Sequence, residues 1–398
     1  MKELMTHIRK LAVDIGPRGS ATAAEAEAAK YVTAKFTEYG LEAWSQQFKS
    51  ITTFSWSYLL YFLFPTVSVL IAQAEPWFAA AVMIFGAGGF LLELNSWPVL
   101  SRLLPKAESI NAIARRKGDN VSCTKVVILA HLDSSKAALN FKPGIVENFR
   151  KSFVMMVVSM LVPAVALLIF ALTGWFWLLV VAGIFALYLL ITAGFLLHRE
   201  AWNRYTHGAN DNASGVAVLL GLARDAGKGA FPGLDLWFVA TGSEEAGTFG
   251  AAAFLAEYGD ELRDAYFINL DNVGAGVVHY MAGEGMFPTH RADRDLLALA
   301  NKVQAENPEL GVKEGVYTLM STDVLPVLVR GYKGISFLAT RNGLLPNWHW
   351  VTDTYENVEE ATVETCYRFV GKMLEKIAQE FESGETHERA TGSQRAEG

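Results

Sequence analysis

The chain has 398 residues, 41 acidic and 34 basic, and a formal net charge of −7, which excludes the basic surface of a nucleic-acid binder. Cys123 and Cys366 stand far apart and form no CxxC, which excludes a disulfide framework and a thiolate zinc site. Hydrophobic residues make up 52% of the chain and mean hydropathy is +0.22, values that point to membrane segments.

The first residues, MKELMTHIRKLAVDIG, lack the apolar centre of a signal peptide. Residues 20–40 read as a helix closed by Gly40, and 41–48 alternate like a strand. Residues 50–74 are uncharged, and a second apolar stretch follows Glu75-Pro76. A spanning helix needs roughly 20 apolar residues, so this region is predicted to hold two spans. Glu93 and Asn95 cut the second one short. INAIARR (110–116) and KVVILA (125–130) are strand candidates, the second apolar throughout as at a sheet centre. Residues 152–197 form another uncharged run, broken at Thr173-Gly174 into two further spans. Beyond it come a helix (214–227), a strand (234–241), a helix (247–259), strands at 265–271 and 334–340, and a helix at 359–381. The tail 382–398 lacks apolar residues and is predicted to be disordered.

Three polar pieces, 1–53, 99–151 and 198–381, therefore read as one α/β domain interrupted by membrane hairpins at 54–98 and 152–197. Alternating strands and helices predict a helix-sandwiched mixed, largely parallel sheet. The domain side of the hairpins carries Arg102, Lys106, Arg115, Arg116, Lys117, Lys142, Arg150, Lys151, Arg199 and Arg204, whereas the outer turns hold only Glu75. By the positive-inside rule this is an integral membrane protein with four spans in the lipid bilayer and its polar domain on the cytoplasmic side.

Ligands of open α/β sheets bind beyond the carboxyl ends of the strands. Here those ends carry His131 and Asp133 after VVILA, Glu244 and Glu245 after LWFVATGS, Asp271 after FINL, Asp211 in HGANDNASG, and His349 with Asp353 in NWHWVTDT. Imidazoles and carboxylates converging in this way suit zinc. On an extended segment positions i and i+2 share a face, so Asp133 can accept the far ring N–H of His131. Asp353, four residues after His349, is a candidate for the same service there. Adjacent side chains on an extended segment point apart, so Glu244 and Glu245 can take different roles.

In order, AHLDS, GANDNASG, SEEAG, NLDNVG and HWVTD resemble the motifs of the M28 family of co-catalytic zinc peptidases, which includes bacterial leucyl-type aminopeptidases. The resemblance covers the polar domain and leaves both hairpins as insertions. It implies two zinc ions per chain, bridged by Asp211, with His131 and Asp271 completing one site and Glu245 and His349 the other. It also implies Glu244 as general base toward a hydroxide shared by the metals, a cis peptide after Asp211, and a peptide substrate cleaved at its N-terminal bond. His349 departs from the pattern in its neighbours Trp348 and Trp350, and STDVLPVLVRGYKGIS lacks the histidine of the matching family stretch. Specificity therefore does not carry over.

Three other readings compete. An inactive receptor or scaffold on this fold would tend to lose ligands, and all five positions are present. An aminoacyl cyclase works with one zinc, whereas both sites are complete here. A transporter would need ionisable residues within its spans, and only Glu93 stands there. HExxH, GxSxG and Walker patterns are missing, which removes thermolysin-type, serine-hydrolase and nucleotide-binding readings.

Overall fold

The computed structural model describes residues 1–118 and 123–395, with the backbone course alone from residue 380 onward. In chain order it has helices α1 (Lys2–Arg9) and α2 (Ala23–Glu38), strand β1 (Glu42–Ser50), helices α3 (Ser55–Ile71) and α4 (Pro76–Leu94), and strands β2 (Ala107–Arg116) and β3 (Thr124–His131). Helices α5 (Phe149–Thr173), α6 (Trp177–Trp202) and α7 (Ser214–Gly227) follow, then β4 (Leu234–Thr241), α8 (Phe249–Tyr258), β5 (Tyr266–Leu270), β6 (Val277–Glu284) and β7 (His290–Arg291). The chain continues through α9 (Arg294–Glu306), β8 (Lys313–Tyr317), α10 (Leu325–Val329), β9 (Lys333–Thr340) and α11 (Glu360–Arg395).

The sheet runs β1-β2-β4-β3-β5-β9-β6-β7, with β8 paired to β6. Its centre, β4-β3-β5-β9, is parallel, and β1, β2 and the β6 flank join it antiparallel. The sheet is thus mixed as expected, with its main parallel part in the middle and one further parallel pair, β6–β8, at the edge. That middle is where helices cover both faces. Val126 and Ile128 of β3 pack with α2, α7 and α11, while Val127 and Leu129 face Trp237, Phe254 and Val327 on the side of α8 and α10. Opposite faces for alternate residues follow from the pleat, and burial on both sides explains the continuous apolar run of β3. Strands β6, β7 and β8 and helices α1, α9 and α10 have no counterpart among the elements predicted from the sequence.

Helices α3 to α6 pack as a four-helix bundle around Tyr61, Met83, Phe90, Met160, Leu167 and Leu189. Three of its helical stretches are long and apolar enough to cross a membrane: Pro76–Leu94, Val146–Thr173 and Trp177–Trp202. The expected first span, α3, is the short one at 17 residues, not the second. Glu93 does not truncate α4, because its carboxylate accepts hydrogen bonds from Tyr61 Oη and from the N–H groups of Val99 and Leu100 within the fold. The outer surface of the bundle is apolar, with Leu70 and Ile184 among its exposed residues. Exposed aromatic residues collar both ends: Trp77, Phe78, Trp175, Phe176 and Trp177 at the outer turns, and Trp56, Trp97 and Trp202 at the domain end.

The bundle is tied to the domain by polar contacts. Arg199 donates to Thr53, Ser55, Ser135 and Glu200, and Glu200 accepts from Lys136 at 2.6 Å. The strands leading to and from the second hairpin meet at a narrow neck. Lys136 and Tyr205 form an antiparallel bridge, flanked by Ala137 N to Arg204 O (3.0 Å) and Thr206 N to Ser135 O (2.8 Å). At the C-terminus, α11 runs to Arg395, so the predicted tail 382–398 is helical as far as the described residues reach. Residues 396–398 lie outside the described residues.

Candidate metal centre and active site

All five expected ligands converge at the carboxyl ends of the central strands. His131 is the last residue of β3, and its Nε2 lies 3.1 Å from Asp211 Oδ1 and 3.5 Å from Asp271 Oδ1. His349 Nε2 lies 3.1 Å from Asp211 Oδ2 and 3.1 Å from Glu245 Oε2. Two compact triads result, His131–Asp211–Asp271 and Asp211–Glu245–His349, with Asp211 common to both.

The fit to metal is visible in what these atoms lack. His131 Nε2, both carboxylate oxygens of Asp211, Glu245 Oε1 and Asp271 Oδ2 are buried without a hydrogen-bond partner. Buried polar atoms left unpaired are costly, and here they cluster where two cations would lie. The donor set, two imidazoles and three carboxylates with one bridging, is a zinc-type set. Electrostatics carry the same mark. Burial pushes the carboxyls of Glu245 and Asp271 up, with neighbouring acids adding to it. Burial opposes the charged form of His349 too, yet Glu245 and Asp211 lift it to about 9. Burial also works against the charge on Asp211, but the two imidazoles hold its pKa below the usual carboxylate range. A nest of buried acids that needs positive charge is what a cation would relieve.

Each ligand is held by structure behind it. The Asp211-Asn212 peptide is cis, and the N–H groups of Asn210 and Asp211 donate to Asp353 at 2.6 and 3.2 Å. Asp353 thus serves the bridging segment, not His349 as expected. His349 sits in the left-handed region at φ 45° and packs edge-on against Phe141, with ring centroids 4.6 Å apart. A non-glycine residue held there is strained, as is common at functional sites.

The Glu244-Glu245 pair is not extended. It lies in a turn after β4, where Glu244 O accepts from the N–H groups of both Gly247 and Thr248. The turn is fixed by Asp133, whose carboxylate accepts Glu244 N and Glu245 N at 3.1 Å each and Ser20 Oγ at 2.6 Å. Asp133 therefore does a different task from the one expected. The His131 ring nitrogen Nδ1 is 3.1 Å from the backbone carbonyl of Asp133, and the carboxylate stands off at 3.6 Å. Glu244 itself is buried without a hydrogen bond to its carboxylate among the described residues, and burial raises its pKa well above that of a free glutamate.

Four supporting residues escaped the sequence reading. Arg18 is fully buried and donates to the carbonyls of Leu11, Gly16, Leu132, His207 and Gly208, so one guanidinium pins the segments that carry His131 and Asp211. Gly208 allows this approach: it has φ 61°, and a Cβ there would sit 2.9 Å from Arg18 Nη2. Ser20 anchors Asp133. Glu25 caps the start of α2 by accepting Ala21 N, and it also accepts Ser243 N at 2.7 Å, just before Glu244. Asp323 accepts from Thr241 Oγ1 at the end of β4. The Thr-x-x-Glu spacing of Thr22 and Glu25 is a capping box readable from sequence, but its reach to Ser243 is tertiary.

Comparison with known proteins agrees with this geometry. The architecture is that of zinc exopeptidases and related cyclases. A Zn-dependent exopeptidase from Parabacteroides distasonis is similar at 16% identity over 94% of this chain and 97% of that chain, with a TM-score of 0.55. An aminopeptidase from Aneurinibacillus sp. is similar at 15% identity over 94% and 92%, with a TM-score of 0.57. Glutaminyl cyclase from Bacteroides thetaiotaomicron is similar at 15% identity over 94% and 97%, also at 0.57. More particularly, the profile of Peptidase family M28 matches residues 192–374, a span that includes Asp211, Glu244, Glu245, Asp271 and His349. Among curated proteins no sequence matches.

Proposed function

We propose that the chain is a membrane-anchored, zinc-dependent aminopeptidase. The observation that carries this is the pair of triads sharing Asp211, with their facing atoms unpartnered and Glu244 beside them. His131 and Asp271 would hold one zinc, Glu245 and His349 the other, and Asp211 would bridge them. When bound, two such ions polarise a carbonyl oxygen and acidify water. The chain's own part is acid–base and positional. Glu244 takes a proton from the attacking water and delivers it to the leaving amine, so the C–N bond breaks as a C–O bond forms. Asp133 fixes the Glu244-Glu245 turn, Asp353 fixes Asn210 and Asp211, and Arg18 joins both sides. The apolar helices and their two aromatic collars support anchoring in a bilayer.

Metal analysis of the purified protein, with release of free amino acid from a panel of aminoacyl substrates, tests the reading. Two zinc per chain and loss of turnover in Glu244→Gln are expected. Full activity of that variant would overturn the assignment of the base. Loss of ammonia from glutaminyl peptides without release of an amino acid would indicate the cyclase reaction instead.

A further inference from the structure

A cavity of about 470 Å³ begins at Glu244, Glu245 and His349 and extends into the base of the helix bundle. This is the size of a small-molecule pocket, roughly 300–1,000 Å³. Its far wall comes from the domain-side ends of α3, α5 and α6, including Phe62, Met156 and Phe195. On α5 the lining runs from Phe149 to Met156, about 10 Å along the helix at 1.5 Å per residue. The site and the layer that the bundle occupies are therefore joined by one continuous, mainly apolar space.

The wall decides what can fill it. Most of its polar groups are already engaged. Tyr188 Oη donates to Ser152 O at 3.1 Å, Thr192 Oγ1 to Tyr188 O at 3.0 Å, and Thr248 Oγ1 to Gly247 O at 2.8 Å. The Arg199 Nη1 protons go to Thr53, Ser55 and Glu200. Ser321 Oγ, Arg199 Nε and Trp348 Nε1 are buried without a partner among the described residues, and Tyr58, Asn140 and Ser152 add a few polar side chains to a mainly apolar lining, too few for a chain of amides. A peptide brings one donor and one acceptor per residue, and each costs free energy if buried unpaired. A hydrocarbon chain brings none.

We propose that the substrate is a single-chain amphiphile: an amide at the metal centre, joined to a long hydrocarbon tail that lies in this cavity and enters from the bilayer. The proposal rests on the hydrolase reading of the same site and names its substrate class. Hydrolysis adds OH to the acyl carbon and H to the leaving nitrogen, with no other reactant. The tail belongs either to the acyl side or to the amine side of the amide, and the two are separated by experiment.

Full-length, zinc-loaded protein in detergent is assayed on two series, leucine n-alkylamides and N-acyl-leucines, with tails of two to fourteen carbons held below their micellar concentrations. In one series kcat/KM is expected to rise about two- to four-fold per methylene, through KM with kcat steady, until the cavity is full. The series that rises tells which side carries the tail. Ser152→Trp, at an exposed lining position, is expected to lower the ratio of long-tail to short-tail kcat/KM at least ten-fold. Independently of turnover, the long member of that series is expected to raise the Tm of Glu244→Gln protein and the short member is not. A flat length dependence in both series, or a preference for apolar leucyl peptides over both, overturns the tail proposal. If leucyl peptides are then still cleaved and Glu244→Gln abolishes that cleavage, the hydrolase reading stands alone. If zinc-loaded protein cleaves nothing, both fall.

Discussion

Asp133 is the residue through which the positioning of the base can be weighed. Its carboxylate receives Glu244 N, Glu245 N and Ser20 Oγ. Asparagine has nearly the same shape but turns one oxygen into an N–H donor. The serine hydroxyl can rotate to accept from it, whereas a backbone N–H cannot. In Asp133→Asn one of the two glutamate N–H groups therefore keeps an acceptor, and the other faces a donor in a buried site. An unsatisfied buried group costs about 1–3 kcal/mol, and loss of the ionised acceptor is of the same order. With about 2 kcal/mol falling on the turn that aims Glu244, kcat drops about thirty-fold. KM stays within a few-fold, and zinc at the Glu245–His349 position binds about 10–100-fold more weakly. The measurements are steady-state kinetics on an aminoacyl amide and zinc retention against a graded chelator. A variant with unchanged kcat and undiminished zinc affinity would refute the idea that this carboxylate holds the base, whatever its effect on folding.

Other outcomes follow from the same structure. His7 is buried between Tyr31 Oη at 2.6 Å and Tyr39 Oη at 3.0 Å, and burial pulls its pKa down to about 4. Its unfolded value is near 6.5, so the unfolded chain takes up the proton first; this stability is present in full above pH 6.5 and is lost between pH 6.5 and 4. The contribution is about 3 kcal/mol, and His7→Gln should flatten that limb of the unfolding free energy against pH. Arg18→Met leaves five carbonyls without their donor and should destabilise the fold by about 3–5 kcal/mol, read as a fall in chemical-denaturation midpoint. Chelation should lower Tm, because the acid nest is left uncompensated, and added zinc should restore it. A cysteine at Glu75 should react with an impermeant maleimide on intact cells, and one at Lys142 only after permeabilisation; the reverse pattern would invert the topology.

The ligands were legible because each stands next to a strong local signal. His131 ends an apolar run, Asp271 ends another, and Glu245 follows a third. A strand end is a place in space as well as in sequence, which gathered these three, while the choice of Asp211 and His349 as their partners rested on the resemblance to the M28 motifs. The roles of Asp133 and Asp353 were not legible, because a carboxylate two or four residues from a histidine has several backbone N–H groups within reach. The turn at Ser243, with φ 52°, brings two of these to Asp133. Arg18 is hidden for a related reason: its five partners are carbonyls, which every residue possesses, so no residue type marks them. The span in α4 was judged the weak one because hydropathy does not see that Glu93 finds its partners at the end of that helix.

The neck at Lys136 and Tyr205 has a consequence for how such a chain can be altered. Helices α5 and α6 lie between these two residues, and the chain enters and leaves this region through two segments already bonded to each other. Closing a loop costs only about 0.6 kcal/mol more for each doubling of its length, so the neck is nearly indifferent to what it encloses. His131 and Asp211 stand on either side of it and are held by Arg18 from beneath. The neck is in effect a splice joint: whole segments can be exchanged above it, by design or by descent, while the two ligands below keep their places.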